Sequence, residues 1–444
     1  MNTAIASVRG RRIWDSRGRP TVEVDIVLAC GAAGRGVAPA GASRGTREAV
    51  DLRDGGDALG GFDVQRAVAG VNGVIAATLA GRDAIDQADV DRALIDLDGT
   101  ADKSKLGGNA LIATSLAVLH AAANAHALPL WRYLAGDNSV RLPLPQIQIF
   151  GGGAHAGRRI DIQDLMVMPL GASTFVEALE MVADVYRAAG RLLQGRGALA
   201  GVADEGGHWP AFASNEDALS ALATAIADAG FVAGKDVAIA LDIAASEFGR
   251  AGRYRLALDD RDLDSNGMIE LVLDWLRRFP IVSIEDPLAE DDAVGWARLM
   301  ARLGALGRPI QVVGDDLLVT SAALVGQAAE QATCNTALIK PNQSGTVTET
   351  KAALDAAKAN GFGAIVSARS GETEDVAIAH LATGWDAGQL KVGSFARSER
   401  MAKWNEMLRI EEAMGIDARY AGAGALLPHS ARMRPKKEHE GNEV

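Results

Sequence analysis

Cysteine is almost absent from this chain of 444 residues. Cys30 and Cys334 are the only two, and both stand in apolar surroundings without CxxC spacing. A disulfide framework needs several cysteine pairs, and a cysteine-based zinc site needs clustered ligands. The sequence therefore argues against both.

Long hydrophobic runs are missing as well. The opening stretch, MNTAIASVRGRRIWDSRG, lacks the apolar core of a signal peptide. The most apolar long segment, 111–130, contains His120, Asn124 and His126, which is typical of a packed helix rather than of a membrane span. We therefore expect a cytoplasmic protein with no membrane partner.

Basic residues are fewer than acidic ones. The formal net charge is −12, which argues against nucleic acid as a partner because phosphate binding needs basic surfaces. Lysine is the scarce basic residue, with 10 copies against 35 of arginine. Since arginine stays protonated in proteins, a lysine at the end of an apolar run indicates a role that arginine cannot fill.

The residues that are present suit two domains. With 48% hydrophobic residues, a chain of this length can bury a large core. Alternation over 21–29 predicts a half-buried strand, a glycine-rich loop follows at 38–48, and helical periods cover 64–81 and 106–135. The predicted segments are an α+β domain (1–135), a barrel domain (140–427) and a polar, flexible tail (428–444).

Pro143 and Pro145 mark the predicted boundary, and beyond them short apolar runs end in polar residues and precede helical stretches. Such repeated units predict an eight-stranded α/β barrel, in which chemistry collects at the carboxyl ends of the strands. A doubly wound sheet has the same period and stays open as the alternative. The six runs are VAIALD (237–242), IVSIED (281–286), IQVVGDD (310–316), TALIKPN (336–342), GAIVSARS (363–370) and GQLKVGS (388–394).

Three carboxylates, Asp242, Glu285 and Asp315, end three successive runs. Gathered at one barrel mouth they would repel one another unless a cation lies among them, and oxygen-only ligands favour Mg²⁺. Each acid alone is equally typical of a helix N-cap or a surface loop. The repetition favours a magnesium site.

Two of the ten lysines, Lys340 and Lys391, follow apolar residues at strand ends. Beside a metal cluster the charged form of a lysine is disfavoured, so such a lysine can act as a base. A structural salt bridge to one of the acids stays open for either. Glu205 in DEGG, His155 in GGGAHAG and Ser43 in GASRG are weaker signals, since plain turns or a helix cap explain each one.

Taken together, the motifs of this chain resemble enolase from the first strand to about residue 425. The resemblance implies an N-terminal α+β capping domain on an eight-stranded α/β barrel. The matching motifs are DSRGRPTVEV (15–24), GASRG (41–45), LRDG (52–55), IDLDGT (95–100), DEGG (204–207), LDIAASEF (241–248), SIEDP (283–287), GDDLLVT (314–320), LIKPNQ (338–343), RSGETED (369–375) and ARSERMAKWNEMLRIEE (396–412).

The resemblance also implies a role for each matching residue. Two Mg²⁺ ions are expected per site, together with a small phosphorylated carboxylate of the 2-phosphoglycerate type. A homodimer or an octamer is expected as the assembly. The implied roles are metal ligands (Asp242, Glu285, Asp315, Ser43), general base (Lys340), general acid (Glu205), carboxylate ligand (Lys391), phosphate ligands (Arg369, Ser370) and substrate contacts (His155, Asp164).

The chain departs from the enolase pattern around the leaving-group side of the site. Ala368 stands where the family has a histidine, and Asp164 is one methylene shorter than the family's glutamate. Asparagines that usually flank the His155 loop are replaced, one of them by Gln148. Three loop arginines, Arg44, Arg158 and Arg159, are added, and they are candidate contacts to a second anion.

These departures favour a diverged paralogue that keeps α-proton abstraction and acts in phosphonate or phosphinate antibiotic biosynthesis. The carboxyphosphonoenolpyruvate synthases are the precedent, and the second substrate would be a nucleotide-activated phosphonoformate. An ordinary glycolytic enolase with tolerated substitutions is the first alternative. A catalytically weak enolase used as a binding or scaffold protein is the second.

Overall fold

The computed structural model describes residues 1–426. The predicted tail, 428–444, lies outside the described residues. Within the described range, no helix combines the length and the apolar character needed to cross a membrane.

The N-terminal part begins with a three-stranded antiparallel sheet in the order β1-β2-β3. Its central strand has buried Val22, Val24 and Ile26 on one face, as the alternating pattern predicted. The strands are β1 (Ile5–Trp14), β2 (Pro20–Leu28) and β3 (Ala33–Val37). The helices are α1 (Gln65–Gly70), a π-helical turn (Val71–Ile75), α2 (Ala76–Leu79), α3 (Gln87–Asp98), α4 (Gly108–Ala125) and α5 (Leu130–Ala135).

Helix α4 is buried along almost its whole length and packs on β2 and β3. Two glycines of β3 allow the close approach. A Cβ atom on Gly34 or on Gly36 would overlap the backbone of α4 at Ala117. This explains how an alanine-rich apolar segment becomes a core helix.

The C-terminal part contains thirteen strands within the described range. They are β4 (Leu144–Gly151), β5 (Asp164–Met168), β6 (Leu199–Val202), β7 (His208–Pro210), β8 (Ala238–Asp242), β9 (Gly249–Arg250), β10 (Arg253–Leu256), β11 (Arg261–Asp264), β12 (Ile281–Glu285), β13 (Gln311–Gly314), β14 (Thr336–Ile339), β15 (Gly363–Ser367) and β16 (Gly388–Gly393). Its helices are α6 (Phe175–Gly195), α7 (Asn215–Asp228), α8 (Ser265–Arg278), α9 (Ala293–Leu303), α10 (Ala322–Gln331), α11 (Pro341–Ser344), α12 (Val347–Ala359), α13 (Ala377–Gly384) and α14 (Ser398–Met414).

Eight of these strands close into a barrel in the order β4-β5-β8-β12-β13-β14-β15-β16, and β16 pairs with β4. Strand β5 is antiparallel to both of its neighbours, while the other neighbouring pairs are parallel. The predicted eight-stranded α/β barrel with an N-terminal α+β domain is therefore confirmed, and the doubly wound alternative is wrong. The closing β16–β4 pair decides between them, because an open sheet leaves its edge strands unpaired.

Candidate active site

The chemically active side chains leave the barrel at one end. The acids come from three neighbouring strands in register, because Asp164 lies opposite Asp242 and Asp242 lies opposite Glu285. The others follow the carboxyl ends of further strands, where the chemistry of such barrels collects. The positions are the end of β8 (Asp242), the end of β12 (Glu285), directly after β13 (Asp315), directly after β14 (Lys340), two residues after β15 (Arg369) and within β16 (Lys391).

Lys391 lies at the centre of the three acids in register. Its Nζ is 2.7 Å from Oδ2 of Asp242, 2.9 Å from Oε2 of Glu285 and 3.3 Å from Oδ2 of Asp164. Burial alone would lower the pKa of Lys391, but the surrounding carboxylates raise it well above its ordinary value. Burial, and then the charge of Asp242, raise the pKa of Glu285 well above its usual range.

A second ion pair joins Lys340 to Asp315. The Lys340 ammonium donates to Oδ2 of Asp315, and Nε2 of Gln343 donates to the other carboxylate oxygen at 2.9 Å. Burial would raise the pKa of Asp315, but Lys340 lowers it below its ordinary value. Conversely, burial would lower the pKa of Lys340, and Asp315 raises it.

Strained backbone supports this ion pair. Val319 and Thr320 both have positive φ angles, 41° and 52°, which is uncommon for β-branched residues. The Thr320 hydroxyl accepts from the backbone N–H of Lys340 at 2.9 Å and donates to Gln343 at 2.6 Å. Such strain, of order 1–3 kcal/mol per residue, persists where the surroundings enforce it and collects at functional sites.

His155 and Glu205 form the opposite side of the site. His155 lies in a short 3₁₀ turn, with Nε2 at 3.0 Å from Oδ1 of Asp164 and Nδ1 at 3.6 Å from Oε1 of Glu205. The Ser370 hydroxyl donates to the same Glu205 oxygen at 2.9 Å. Burial alone would lower the pKa of His155, but Glu205 and Asp164 raise it to about 9.

Arg369 is held by the glycine-rich loop of the capping domain. Its Nη1 lies 2.9 Å from Oε2 of Glu48, and its Nη2 donates to the backbone carbonyl of Ser43 at 2.9 Å. A Cβ atom on Gly41 would overlap the guanidinium group, so this position requires glycine. Ser43 is not a helix cap, because no helix begins in the described stretch 41–48.

The two arginines of the His155 loop contact other parts of the protein. Arg158 forms an ion pair with Glu247 at 2.7 Å, and Arg159 stacks over the Trp209 ring at 4.1 Å from its centroid. Arg44 is exposed. Ala368 is buried, and its N–H donates to the carbonyl of Lys391 at 2.9 Å, as a continuation of the β15–β16 pairing.

Asp242, Glu285 and Asp315 offer oxygen donors of the chemical type that Mg²⁺ prefers. All three are buried carboxylates and are not N-caps of barrel helices, since Asp264, Asp292 and Ser321 cap α8, α9 and α10. Beside them, Nε2 of Gln163 donates to Asp242 at 3.2 Å, while its buried Oε1 has no hydrogen-bond partner among the described residues. Hard oxygen donors of this kind suit Mg²⁺.

The three predicted metal ligands do not meet at a single point. Among the described residues, the groups with ligand atoms within 4.8 Å of one another are Asp286–Asp315–Asp316 and His155–Asp164–Glu205. Asp242 and Glu285 instead share Lys391. Asp286 accepts from the backbone N–H groups of Asp315 and Asp316, which fixes the loop that carries Asp315.

The structure also adds residues that the sequence analysis did not nominate. Glu48 and Gln343 contact each other at 3.2 Å although they lie 295 positions apart, and Gln148 contacts Asp164. No local sequence pattern marks the carboxylate of Glu48 or the amides of Gln343 and Gln148 as site residues. A resemblance to a family motif was the only available signal, since Gln343 lies in LIKPNQ.

Comparisons with known proteins agree with this geometry. The family model described as "Enolase, N-terminal domain" matches residues 5–134, and "Enolase, C-terminal TIM barrel domain" matches residues 139–428. The chain belongs to the enolase family. It is 48% identical over 423 residues to a curated protein named "Enolase 1" from Desulfitobacterium hafniense (strain Y51), covering 95% of this chain and 96% of the relative.

Membership in the enolase family makes this chain an enolase-superfamily carbon–oxygen lyase. The diverged phosphonate-pathway enzyme that we placed first is not supported. Near full-length similarity to a curated enolase favours the ordinary enolase alternative instead. The loop arginines agree with this correction, because Arg158 and Arg159 are engaged by Glu247 and Trp209.

Proposed function

We propose that this enolase converts 2-phosphoglycerate to phosphoenolpyruvate and water, with two Mg²⁺ ions per site. The observation that carries the proposal is the separation of a candidate base from a candidate acid at one barrel mouth. One chain of side-chain hydrogen bonds runs from Lys340 through Asp315, Gln343 and Glu48 to Arg369, and we call these residues the Lys340 network. A second set, the Lys391 network, contains Asp242, Glu285, Asp164, His155, Ser370 and Glu205.

A dehydration of this kind requires a proton to leave carbon and another proton to reach the departing hydroxide. Lys340 is assigned the first task and Glu205 the second. Among the described residues, no hydrogen bond between two side chains links the two networks, although the Arg400 guanidinium donates to the backbone carbonyls of both Arg369 and Ser370. No chain of side-chain hydrogen bonds therefore runs from Lys340 to Glu205. Separate networks allow one group to be basic while the other is acidic.

Lys340 must be neutral to accept the α-proton, and its present partner Asp315 favours the ammonium form. Mg²⁺ would offset the negative charge of Asp315 and would stabilise the dianion that proton loss gives. Its proposed ligands are Asp242, Glu285 and Asp315, with Ser43 for the second ion. Gln343 and Thr320 hold Asp315 and the Lys340 backbone in place. The amine is therefore oriented before substrate arrives.

Glu205 lies beside a proton source. Ser370 donates to it, and the His155 imidazole lies beside it with a raised pKa. A protonated His155 can supply a proton to Glu205, which passes it to the leaving hydroxide. Asp164 accepts on the other side of the ring and keeps the imidazole aligned.

The phosphate and carboxylate ends of the substrate are assigned to cations of different shape. Arg369 presents a planar fork for phosphate, and Ser370 adds a hydroxyl. Lys391 presents a compact ammonium for the carboxylate end. Glu48, Asn342 and the Ser43 carbonyl fix the guanidinium plane.

The deciding experiment is a Mg²⁺-dependent assay of phosphoenolpyruvate formation from 2-phosphoglycerate. Turnover at an ordinary enolase rate supports the proposal. Exchange of the α-proton with solvent without product would contradict it and favour a diverged enzyme. Absence of exchange in protein shown to bind Mg²⁺ would favour a scaffold role. The homodimer or octamer and the cytoplasmic location remain predictions.

A further inference from the structure

Gln148 joins three segments of the site through one buried amide. It lies in β4, and its Nε2 donates to Oδ1 of Asp164. Its Oε1 accepts from the backbone N–H of Gly207 at 2.9 Å. Gly207 follows Glu205 by two residues, so the amide ties the Glu205 turn directly to Asp164.

The length of Gln148 is matched to the length of Asp164. In the antiparallel β4–β5 pair, Gln148 lies opposite Met166, two residues beyond Asp164. The contact therefore runs diagonally, with a long amide and a short acid spanning the gap. The Gln148 amide is tightly packed against the Glu205 turn, because a Cβ atom on Gly207 would overlap Oε1 of Gln148.

The Asp164 oxygen that accepts from Gln148 is the same one that faces His155 at 3.0 Å. A displacement of this oxygen therefore moves the imidazole that lies beside Glu205. The other Asp164 oxygen lies 3.3 Å from Lys391. One amide thus sets the spacing between the proton-donating side and the carboxylate-binding side.

We propose that Gln148 is a positioning residue for Glu205 and Asp164, and that Gln148 and Asp164 form a pair whose summed side-chain length is what the site requires. This inference rests on the proposed function. Replacing Gln148 by asparagine removes one methylene, and replacing Asp164 by glutamate adds one. Each single change breaks the diagonal contact or forces the Glu205 turn to shift, whereas the double change keeps the total number of methylenes.

The test compares wild type, Q148N, D164E and the double variant Q148N/D164E with 2-phosphoglycerate. A displacement of about 1 Å at a site can cost about 100-fold in rate, so each single change is expected to lower kcat at least about tenfold with little effect on KM. The double variant is expected to recover to within about threefold of wild type, which is strong non-additivity. Additive losses, or a Q148N protein with wild-type kcat, would overturn the proposal.

Gln146 provides a matched control in the same strand. It is equally buried, and its Nε2 donates to Gln389 at 2.9 Å in the barrel interior. Q146N should lower the melting temperature while leaving kcat nearly unchanged, and adding D164E to it should restore nothing. Rescue by Q146N would show that the effect reflects general packing and would also overturn the proposal.

A second measurement separates this inference from the proposed function. The imidazole ¹⁵N signals of His155 report its protonation without any turnover. Wild type that fails to turn over 2-phosphoglycerate would refute the proposed function, and the imidazole signals would then decide the inference. Shifted His155 titration in each single variant with a return in the double variant supports the pair, and unchanged titration in Q148N refutes it.

Discussion

The guanidinium group of Arg369, on the barrel, lies 2.9 Å from the carboxylate of Glu48, on the capping domain, and both side chains are buried. The glycine-rich loop thereby completes the candidate phosphate site from a different domain. Arg369 also contacts Asn342 and the Ser43 carbonyl. The contacts that cover the site on this side therefore also position its arginine.

Removing Glu48 should therefore affect both stability and substrate binding. Breaking a buried ion pair from one side costs about 3–5 kcal/mol, so E48A should lower the free energy of unfolding by that order. It should also raise KM for 2-phosphoglycerate, because Arg369 loses its orientation. Denaturant unfolding and steady-state kinetics measure the two effects.

The matched control is E349A. Glu349 pairs with Lys103 at 2.9 Å and also joins barrel to capping domain, but it is a third exposed and lies away from Arg369. E349A also breaks an ion pair to a buried residue, Lys103, but it should leave KM unchanged. Equal effects of the two variants on KM would show that Glu48 has no specific role at Arg369.

Lys340 is predicted to be indispensable for α-proton removal. K340A should abolish both product formation and solvent exchange of the α-proton, lowering exchange by at least about 100-fold because a general base contributes 10²–10⁴. Exchange is followed in deuterated water by mass spectrometry. K351A is the control, since Lys351 pairs only with Asp355 on the surface of α12. Surviving exchange in K340A would refute the base assignment.

His155 should make the stability of the metal-free protein depend on pH. The pKa of the group is raised to about 9 in the fold, against about 6.5 in an unfolded chain. Between these two pKa values the folded state therefore binds more protons than the unfolded state. The contribution of His155 to the free energy of unfolding is complete below the unfolded pKa and is lost as pH rises through the folded pKa.

H155Q should remove this part of the pH dependence. The measurement is the free energy of unfolding of both proteins in chelator-treated buffer across that interval. Wild type should lose stability faster than H155Q as pH rises. Parallel curves would show that Glu205 and Asp164 do not hold the imidazole protonated.

Mg²⁺ should be required for activity and should bind through Glu285. Chelation should abolish turnover, and added Mg²⁺ should restore it. Because E285Q replaces a charged oxygen donor by an amide, the Mg²⁺ concentration for half-maximal activity should rise at least about tenfold. E270Q is the control, since Glu270 pairs with Arg302 on the surface. An unchanged metal requirement in E285Q would exclude Glu285 as a ligand.

Arg158 should affect substrate binding rather than stability. It is well exposed and its ion pair with Glu247 joins the His155 loop to the segment after β8, so R158A should cost at most about 1 kcal/mol. We expect a raised KM with unchanged kcat, and the same result for E247A. The double variant should be no worse than either single one. Independent, additive effects on KM would contradict a shared contact.

The barrel strands after residue 236 were predictable because their signals are local, whereas the short strands β9, β10 and β11 were not predicted. Each predicted run from VAIALD to GQLKVGS contains an observed barrel strand, and each polar end lies at the barrel mouth. The first two barrel strands, β4 and β5, were missed. All residues of both are buried, so neither shows alternation, and Pro145 lies inside β4 although it was taken as a boundary marker.

The sequence by itself determined which chemical groups this member of the enolase family offers: three acids at strand ends, two rare lysines, an arginine and a histidine in motifs that resemble a known family. Only the tertiary structure decided which groups meet. It showed Lys391 between Asp242 and Glu285, Glu48 on Arg369 from another domain, and Gln148 bridging Asp164 and the Glu205 turn. These contacts join residues up to 321 positions apart, and hydrogen bonds between distant segments leave no periodicity in the chain. The motif RSGETED thus identified Arg369 and Ser370, while the contacts that hold Arg369, among them Glu48 and the Ser43 carbonyl of the capping domain, appear only in the folded protein.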